Sequence, residues 1–202
     1  MSESGQVEII MGTKGDSNRQ RIIEAADDLF YTRGYNQTSF RDISDKTGIP
    51  RGNFYYYFKT KDDILGAVVD SRLTRLRDAI EQCESSTSDP EASLKAFVSN
   101  IIDKEKTLQF GCSIGTMSSE LAKDEEALHK VFAVLFDEMR GWMRGQFDDL
   151  GCQQPDDLAM ELLSKMQGAA VVSCAFKDSG FLDRSIAEMQ SWVGQQVQPP
   201  LH

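Results

Sequence analysis

Thr38-Ser39-Phe40-Arg41-Asp42-Ile43-Ser44-Asp45-Lys46-Thr47-Gly48-Ile49-Pro50-Arg51-Gly52-Asn53-Phe54-Tyr55-Tyr56-Tyr57-Phe58-Lys59-Thr60-Lys61 is the most informative run in the chain. A helix–turn–helix needs a short helix braced against a second, with a tight turn fixing the angle so that the second enters the major groove. Phe40 and Ile43 supply the brace, Gly48-Ile49-Pro50 the turn, and Phe54 with Phe58 the apolar anchors. Thr38 or Ser39 caps the first helix, with Asp42 three residues after Ser39. Pro50 stops that helix, because proline disfavours helical backbone at the residue before it. The opposite face carries Arg51, Asn53, Tyr55, Tyr56, Lys59 and Lys61, side chains suited to phosphates and base edges. Neighbouring residues on a helix differ by about 100°, so Tyr55, Tyr56 and Tyr57 cannot all point inward.

The charge of the whole chain argues the other way until it is divided. With 22 Lys and Arg against 32 Asp and Glu, the 202 residues carry a net −10. Such a balance disfavours nucleic acid and anionic membranes alike. From Gly12 to Lys61, however, nine basic residues face six acidic ones, giving +3 and leaving −13 on the rest. The acid lies elsewhere in the chain. No run approaches the roughly 18 to 20 apolar residues of a membrane helix. Met1 to Gly15 lacks the basic, apolar, small-residue order of a signal peptide. Cys83, Cys112, Cys152 and Cys174 are scattered, and with His129 and His202 they do not make a zinc shell. The expectation is a reduced, cytoplasmic protein without metal or cofactor.

Apolar residues recur at three- and four-residue steps nearly throughout, which predicts an all-α chain of eight or nine helices. A flexible arm is expected over 1–16, followed by a first helix with Ile22, Ala26, Leu29 and Phe30 inward and Gly34 just past its end. Gly52 to Phe58 makes a third short helix, and Thr60-Lys61-Asp62-Asp63 opens a long fourth. Asp89-Pro90 starts a segment at about 90–105. Others follow at about 112–122, 125–150, 155–178 and 182–197. The expected division is a three-helix helix–turn–helix domain over 17–75, with its motif at about 39–58, and a second helical domain over 76–202.

The quoted stretch, together with Phe30 and Gly34-Tyr35 before it, resembles the DNA-binding signature of the TetR family of transcriptional regulators. The likeness is strong over about 17–75; beyond it, the size and helix count resemble the family's ligand-binding and dimerisation domain. The resemblance implies that Thr38 and Ser39 hold a phosphate at the start of the second helix. Pro50, Arg51, Gly52 and Asn53 would present the recognition helix to bases, and Tyr55, Tyr56, Lys59 and Lys61 would hold backbone phosphates. Ser44 stands where the family usually has Ala.

By the same resemblance the chain is a homodimer that binds a palindromic double-stranded DNA operator as a repressor, released by a small-molecule inducer. The last two long helices would form the dimer face through Leu162, Met166, Ala169, Ala170, Ser173, Ile186, Met189, Trp192 and Val193, unless those stripes bury within their own subunit. Phe110, Cys112, Met117, Phe132, Met139, Trp142, Met143, Met166 and Phe176 are candidates for an inducer cavity, although a Met and aromatic stripe also describes plain core. Phe110-Gly111-Cys112-Ser113-Ile114-Gly115 resembles the Gly-Cys start of the sixth helix in a TetR subgroup, some members of which sense electrophiles or oxidants. A helix N-terminus favours thiolate, yet a small thiol also suits core packing. His129 reads as a solvated helix-face residue. One internal histidine, no Gly-rich phosphate loop and no G-x-S-x-G argue against an enzyme. A helical adaptor that binds protein rather than DNA is the other alternative, disfavoured by the basic face.

Overall fold

The computed structural model describes residues 14–123 and 126–197, and over them every regular element is a helix. In order these are α1 (Lys14–Arg33), α2 (Phe40–Thr47), α3 (Arg51–Phe54), α4 (Lys61–Ser86), α5 (Pro90–Asn100), α6 (Lys104–Phe110), α7 (Ser113–Leu121), α8 (Glu126–Asp149), α9 (Pro155–Phe176) and α10 (Ser179–Gln196). The expected arm falls mostly on 1–13, which lies outside the described residues, as do the side chain of His129 and all of His202.

Local chemistry sets the boundaries. Ser39 and Thr60 form reciprocal capping boxes with Asp42 and Asp63, each cap taking an N–H and each acid returning the contact. The Ser39 hydroxyl on Asp42, and the Thr60 and Lys59 amides on Asp63, hold both carboxyls below their ordinary range. Asp89, Asp103 and Asp178 cap α5, α6 and α10. Gly34 (φ +98°) and Gly48 (φ +68°) take the left-handed backbone that ends α1 and α2.

Two helices differ from the sequence reading. The segment expected as one helix over 90–105 is two, because the Asp103 side chain accepts from Lys106 N (3.1 Å) and restarts the helix after Asn100. The helix expected over Gly52–Phe58 is one turn long, and Tyr55 to Tyr57 continue it as turns. Pro50 offers no side-chain cap. The backbone N–H groups of Tyr57 and Phe58 both reach Phe54 O at 2.8 Å, which tightens the coil and drives Phe54 and Phe58 into the core.

The first three helices pack on the start of α4, with Ile22, Phe30, Ile43, Phe54, Ile64 and Val68 fully buried between them. Helix α4 runs on for 26 residues into the second half and carries the core with it. There α8 lies on α9, α9 on α10, α10 on α5, and α4 on both α5 and α8. Arg77 grips Glu138 through two bonds (2.8 and 3.0 Å), tying α4 to α8. No helix among the described residues is long and apolar enough to cross a membrane.

Candidate nucleic-acid interface

The surface of the helix–turn–helix is built outward from its anchors. Phe54 and Phe58 are buried, so Arg51, Gly52 and Asn53, with Tyr55, Tyr56 and Lys59, are forced to the outside. Tyr56 is 83% exposed and Tyr55 52%, while Tyr57 packs partly against the core. Tyr55 stacks on Phe40 (centroids 6.1 Å apart, planes at 14°), which leaves its hydroxyl edge at the surface. Lys59 folds back so that its ammonium donates to Tyr55 O. Pro50 and Ser39 are exposed beside them.

The turn is closed by a bond the sequence did not signal. Ser44 Oγ donates to Ile49 O (2.7 Å) across Gly48, and Gly48 N donates to Ser44 O (2.8 Å). This hydroxyl fixes the angle between α2 and α3.

Two residues expected on the DNA face are placed differently. Thr38 is 1% exposed and its hydroxyl donates to Gly34 O (2.8 Å), so its proton is committed to the α1–α2 turn. Lys61 is half-buried, donates to Tyr35 O (2.9 Å) and Thr38 O (3.2 Å), and lies 4.0 Å from the Tyr35 ring centroid. Both hold the turn that feeds α2.

A cavity of about 390 Å³ opens between this head and the rest of the chain. Leu76, Ile114, Leu135, Met139, Met166 and Ala170 give it an apolar floor, and Tyr31, Thr107, Cys112 and Gln167 add polar groups. Tyr31 donates to Gly111 O (2.5 Å); burial raises its phenol far above the usual range, so it stays neutral. The Cys112 sulfur caps α7, accepting from Gly115 N (3.5 Å) and Gln167 Nε2 (3.4 Å). On the head side Asp27 of α1 binds Arg72 (2.6 Å) and Arg75 of α4, and Arg72 also donates to Ser113 O (3.0 Å).

Of the nine residues expected around an inducer, Cys112, Met139 and Met166 line this cavity. Met117, Phe132 and Met143 are filled core, and Phe176 is on the surface. Phe110 lies edge-on to Tyr31, and Trp142 lines a shallow groove between α4 and α8. Asp27, Tyr31, Arg72 and Gln167 were missed. Their only trace in the sequence is polar side chains on otherwise inward helical faces.

The residues expected at a dimer face are also placed inside. Leu162, Met166, Ala169, Ala170, Ser173, Ile186, Met189 and Val193 are buried within one chain, and Trp192 is partly buried against Phe147. These side chains hold α9 and α10 to their own subunit. The exposed side of α9 instead carries Met160, Ser164, Gly168, Val171 and Ala175, within about 80° of helix surface at 3.6 residues per turn, flanked by Val172 and Phe176. Val171 is 62% and Phe176 78% exposed.

A basic, aromatic reading turn on a braced helix pair, set on a larger helical body with a cavity, defines a helix–turn–helix regulator. Residues 22–68 match the family described as bacterial regulatory proteins, tetR family. Residues 90–188 match the LmrA/YxaF-like transcriptional regulator C-terminal domain. The chain belongs to the TetR family of transcriptional regulators. It is 30% identical over 127 residues to an uncharacterized HTH-type regulator from the lacX 3′ region of Lactococcus lactis, covering 61% of this chain and 65% of that one. It is 25% identical over 175 residues to the HTH-type regulator LmrA of Bacillus subtilis, covering 82% and 90%. The structure of SCO4454, a TetR-family regulator from Streptomyces coelicolor, superposes with a TM-score of 0.80 at 17% identity, over 91% of this chain and 97% of that one. These relatives are transcriptional regulators, not enzymes.

Proposed function

We propose that this protein is a cytoplasmic homodimeric repressor that binds a palindromic operator and is released when a small molecule enters the cavity beneath the head. The DNA-reading part is residues 17–75 and the regulatory part 76–202. The observation that carries the reading is the exposed set Arg51, Gly52, Asn53, Tyr55, Tyr56 and Lys59 standing on buried Phe54 and Phe58. Arg51 is the group suited to a bidentate guanine contact.

An operator selected from random duplexes tests this. Arg51→Ala is expected to weaken binding by about 1–3 kcal/mol and relax preference at one position per half-site. Lys59→Ala is expected to weaken all sequences alike and lower the salt slope by about one. Failure of the wild-type protein to select any duplex favours the adaptor alternative.

The inducer suited to the cavity has an apolar body for the side lined by Leu76, Leu135 and Met139 and a polar or charged end for the side lined by Asp28, Arg72, Asp103 and Lys106, in a volume within the roughly 300–1,000 Å³ usual for ligand sites. A second reading makes Cys112 an electrophile sensor, favoured by the position of its sulfur in the cavity wall. On that reading a quinone releases DNA from the wild-type protein but not from Cys112→Ser. An equal response of the two proteins removes it.

The dimer face that the burial favours is Met160, Ser164, Gly168, Val171 and Ala175. Gly168 leaves room on this face for a partner helix. A Cβ there would meet nothing within 4 Å inside the chain. A mid-helix glycine costs about 0.5–1 kcal/mol relative to Ala.

A further inference from the structure

Glu120, in the last turn of α7, makes a contact that belongs to neither the reading face nor the cavity. Its two carboxylate oxygens accept separate backbone N–H groups, Tyr35 N at 3.0 Å and Asn36 N at 2.9 Å. Both amides lie in the turn between α1 and α2. That turn is otherwise closed on itself and on α4: Thr38 N donates to Tyr35 O (3.1 Å), Thr38 Oγ1 to Gly34 O, and Lys61 Nζ to Tyr35 O and Thr38 O. It leads directly into the Ser39 cap of α2. A Cβ at Gly34 would stand 3.0 and 3.1 Å from the Glu120 oxygens, so the carboxylate approaches as closely as glycine allows. At its other end α7 begins at the cavity, where Cys112, Ser113 and Ile114 form part of the wall. Nine helical residues at 1.5 Å each make a rod of about 13 Å between the two places.

We propose that Glu120 is a positioning residue for DNA binding: it fixes the turn that aims α2 and α3, and links that turn through α7 to the cavity. The inference rests on the reading that the helix–turn–helix binds an operator. Charge gives it a distinctive sign. Glu120 is an acid on a protein that binds a polyanion, so losing its charge favours DNA on electrostatic grounds alone. Losing the turn's support acts in the opposite direction.

Glu120→Gln keeps the size but aims an amide NH₂ where one acceptor stood, and Glu120→Asp keeps the charge but shortens the reach. With the selected operator, both are expected to bind about tenfold more weakly, the scale of lost hydrogen bonds to a charged acceptor. The slope of log K against log salt is expected to fall by about one or more, because displaced heads lose phosphate contacts. Far-UV circular dichroism stays unchanged, and hydrogen exchange at the Tyr35 and Asn36 amides accelerates. That exchange measurement needs no DNA, so it judges the contact even if the wild-type protein selects no operator. For the link to the cavity, N-ethylmaleimide serves as the filling probe at Cys112, in a Cys152→Ser, Cys174→Ser background. Alkylation is expected to weaken operator binding and speed Asn36 exchange when Glu120 is present, and to change either less than twofold in Glu120→Gln. Binding by Glu120→Gln as tight as wild type, weaker binding with an unchanged salt slope, or unchanged amide exchange overturns the positioning role. Alkylation that has no effect on the Glu120 protein, or acts equally on both, overturns the link through α7.

Discussion

Asp27→Ala is expected to cost about 3–5 kcal/mol of folding stability, the scale for breaking a buried ion pair by removing one partner. Asp27 and Arg72 retain only 13% and 10% of their side-chain exposure, and their 2.6 Å contact joins α1 to α4. Arg72 also donates to Ser113 O and lies 5.3 Å from the centroid of the Phe132 ring, contacts that hold it in place when its carboxylate is removed. Arg75 loses the same partner, but it is 61% exposed and hydrates at little cost. Since whole domains hold only about 5–15 kcal/mol, the loss is a large share of the total. Urea unfolding followed at 222 nm measures it. The double variant Asp27→Ala, Arg72→Met is expected to recover most of the deficit, because the stranded charge is gone. A deficit in the single variant below about 1 kcal/mol, the range of surface pairs, would show that the pair is effectively solvated.

Val171→Glu is expected to convert the proposed dimer to a monomer and to reduce operator affinity by about a hundredfold or more, the usual scale of lost bivalency. Val171 is 62% exposed in the single chain and sits between Gly168 and Ala175 on the outer face of α9. A carboxylate there brings like charges together across a symmetric contact and strips them of water. The contrast is Leu162→Ala, an inner-face change, which is expected to lower stability by about 2–5 kcal/mol and leave the dimer intact. Sedimentation velocity at micromolar concentration separates the two. A Val171→Glu protein that still sediments as a dimer removes this face of α9 from the interface.

Those two sites mark where the sequence was readable. Capping pairs, Gly48, Pro50 and the Phe54/Phe58 spacing are local signals, and the reading head follows from them almost residue by residue. Helix α9 shows the limit. Leu162, Met166, Ala169 and Ser173 lie on one side, Met160, Gly168, Val171 and Ala175 on the other, and both sides are apolar or small. Periodicity establishes a helix there but not which face turns inward, and the residues expected at the interface are ones buried within the chain. The cavity was obscured for a different reason. Its walls come from α1, α4, α6, α7, α8 and α9, and Asp27 meets Arg72 across 45 residues of sequence. No spacing rule reaches that far. The split at Asp103 was missed because Asp103 resembles any exposed helical acid until its neighbour's amide is seen to bond it. Thr38 and Lys61 carry donors suited to phosphate, and only their buried partners show that those donors already serve the turn.

The single-turn length of α3 has an evolutionary consequence. Its anchors are one buried phenylalanine within the turn and another four residues later, while Arg51, Gly52 and Asn53 face outward, and a Cβ at Gly52 would meet nothing within 4 Å. Surface exchanges of this kind usually change stability by no more than about 0.5 kcal/mol. Duplicated copies of the gene can therefore diverge at these three codons with the scaffold undisturbed. The proposed base-contacting set can therefore be exchanged one residue at a time, whereas a change at Phe54 or Phe58 disturbs the buried framework.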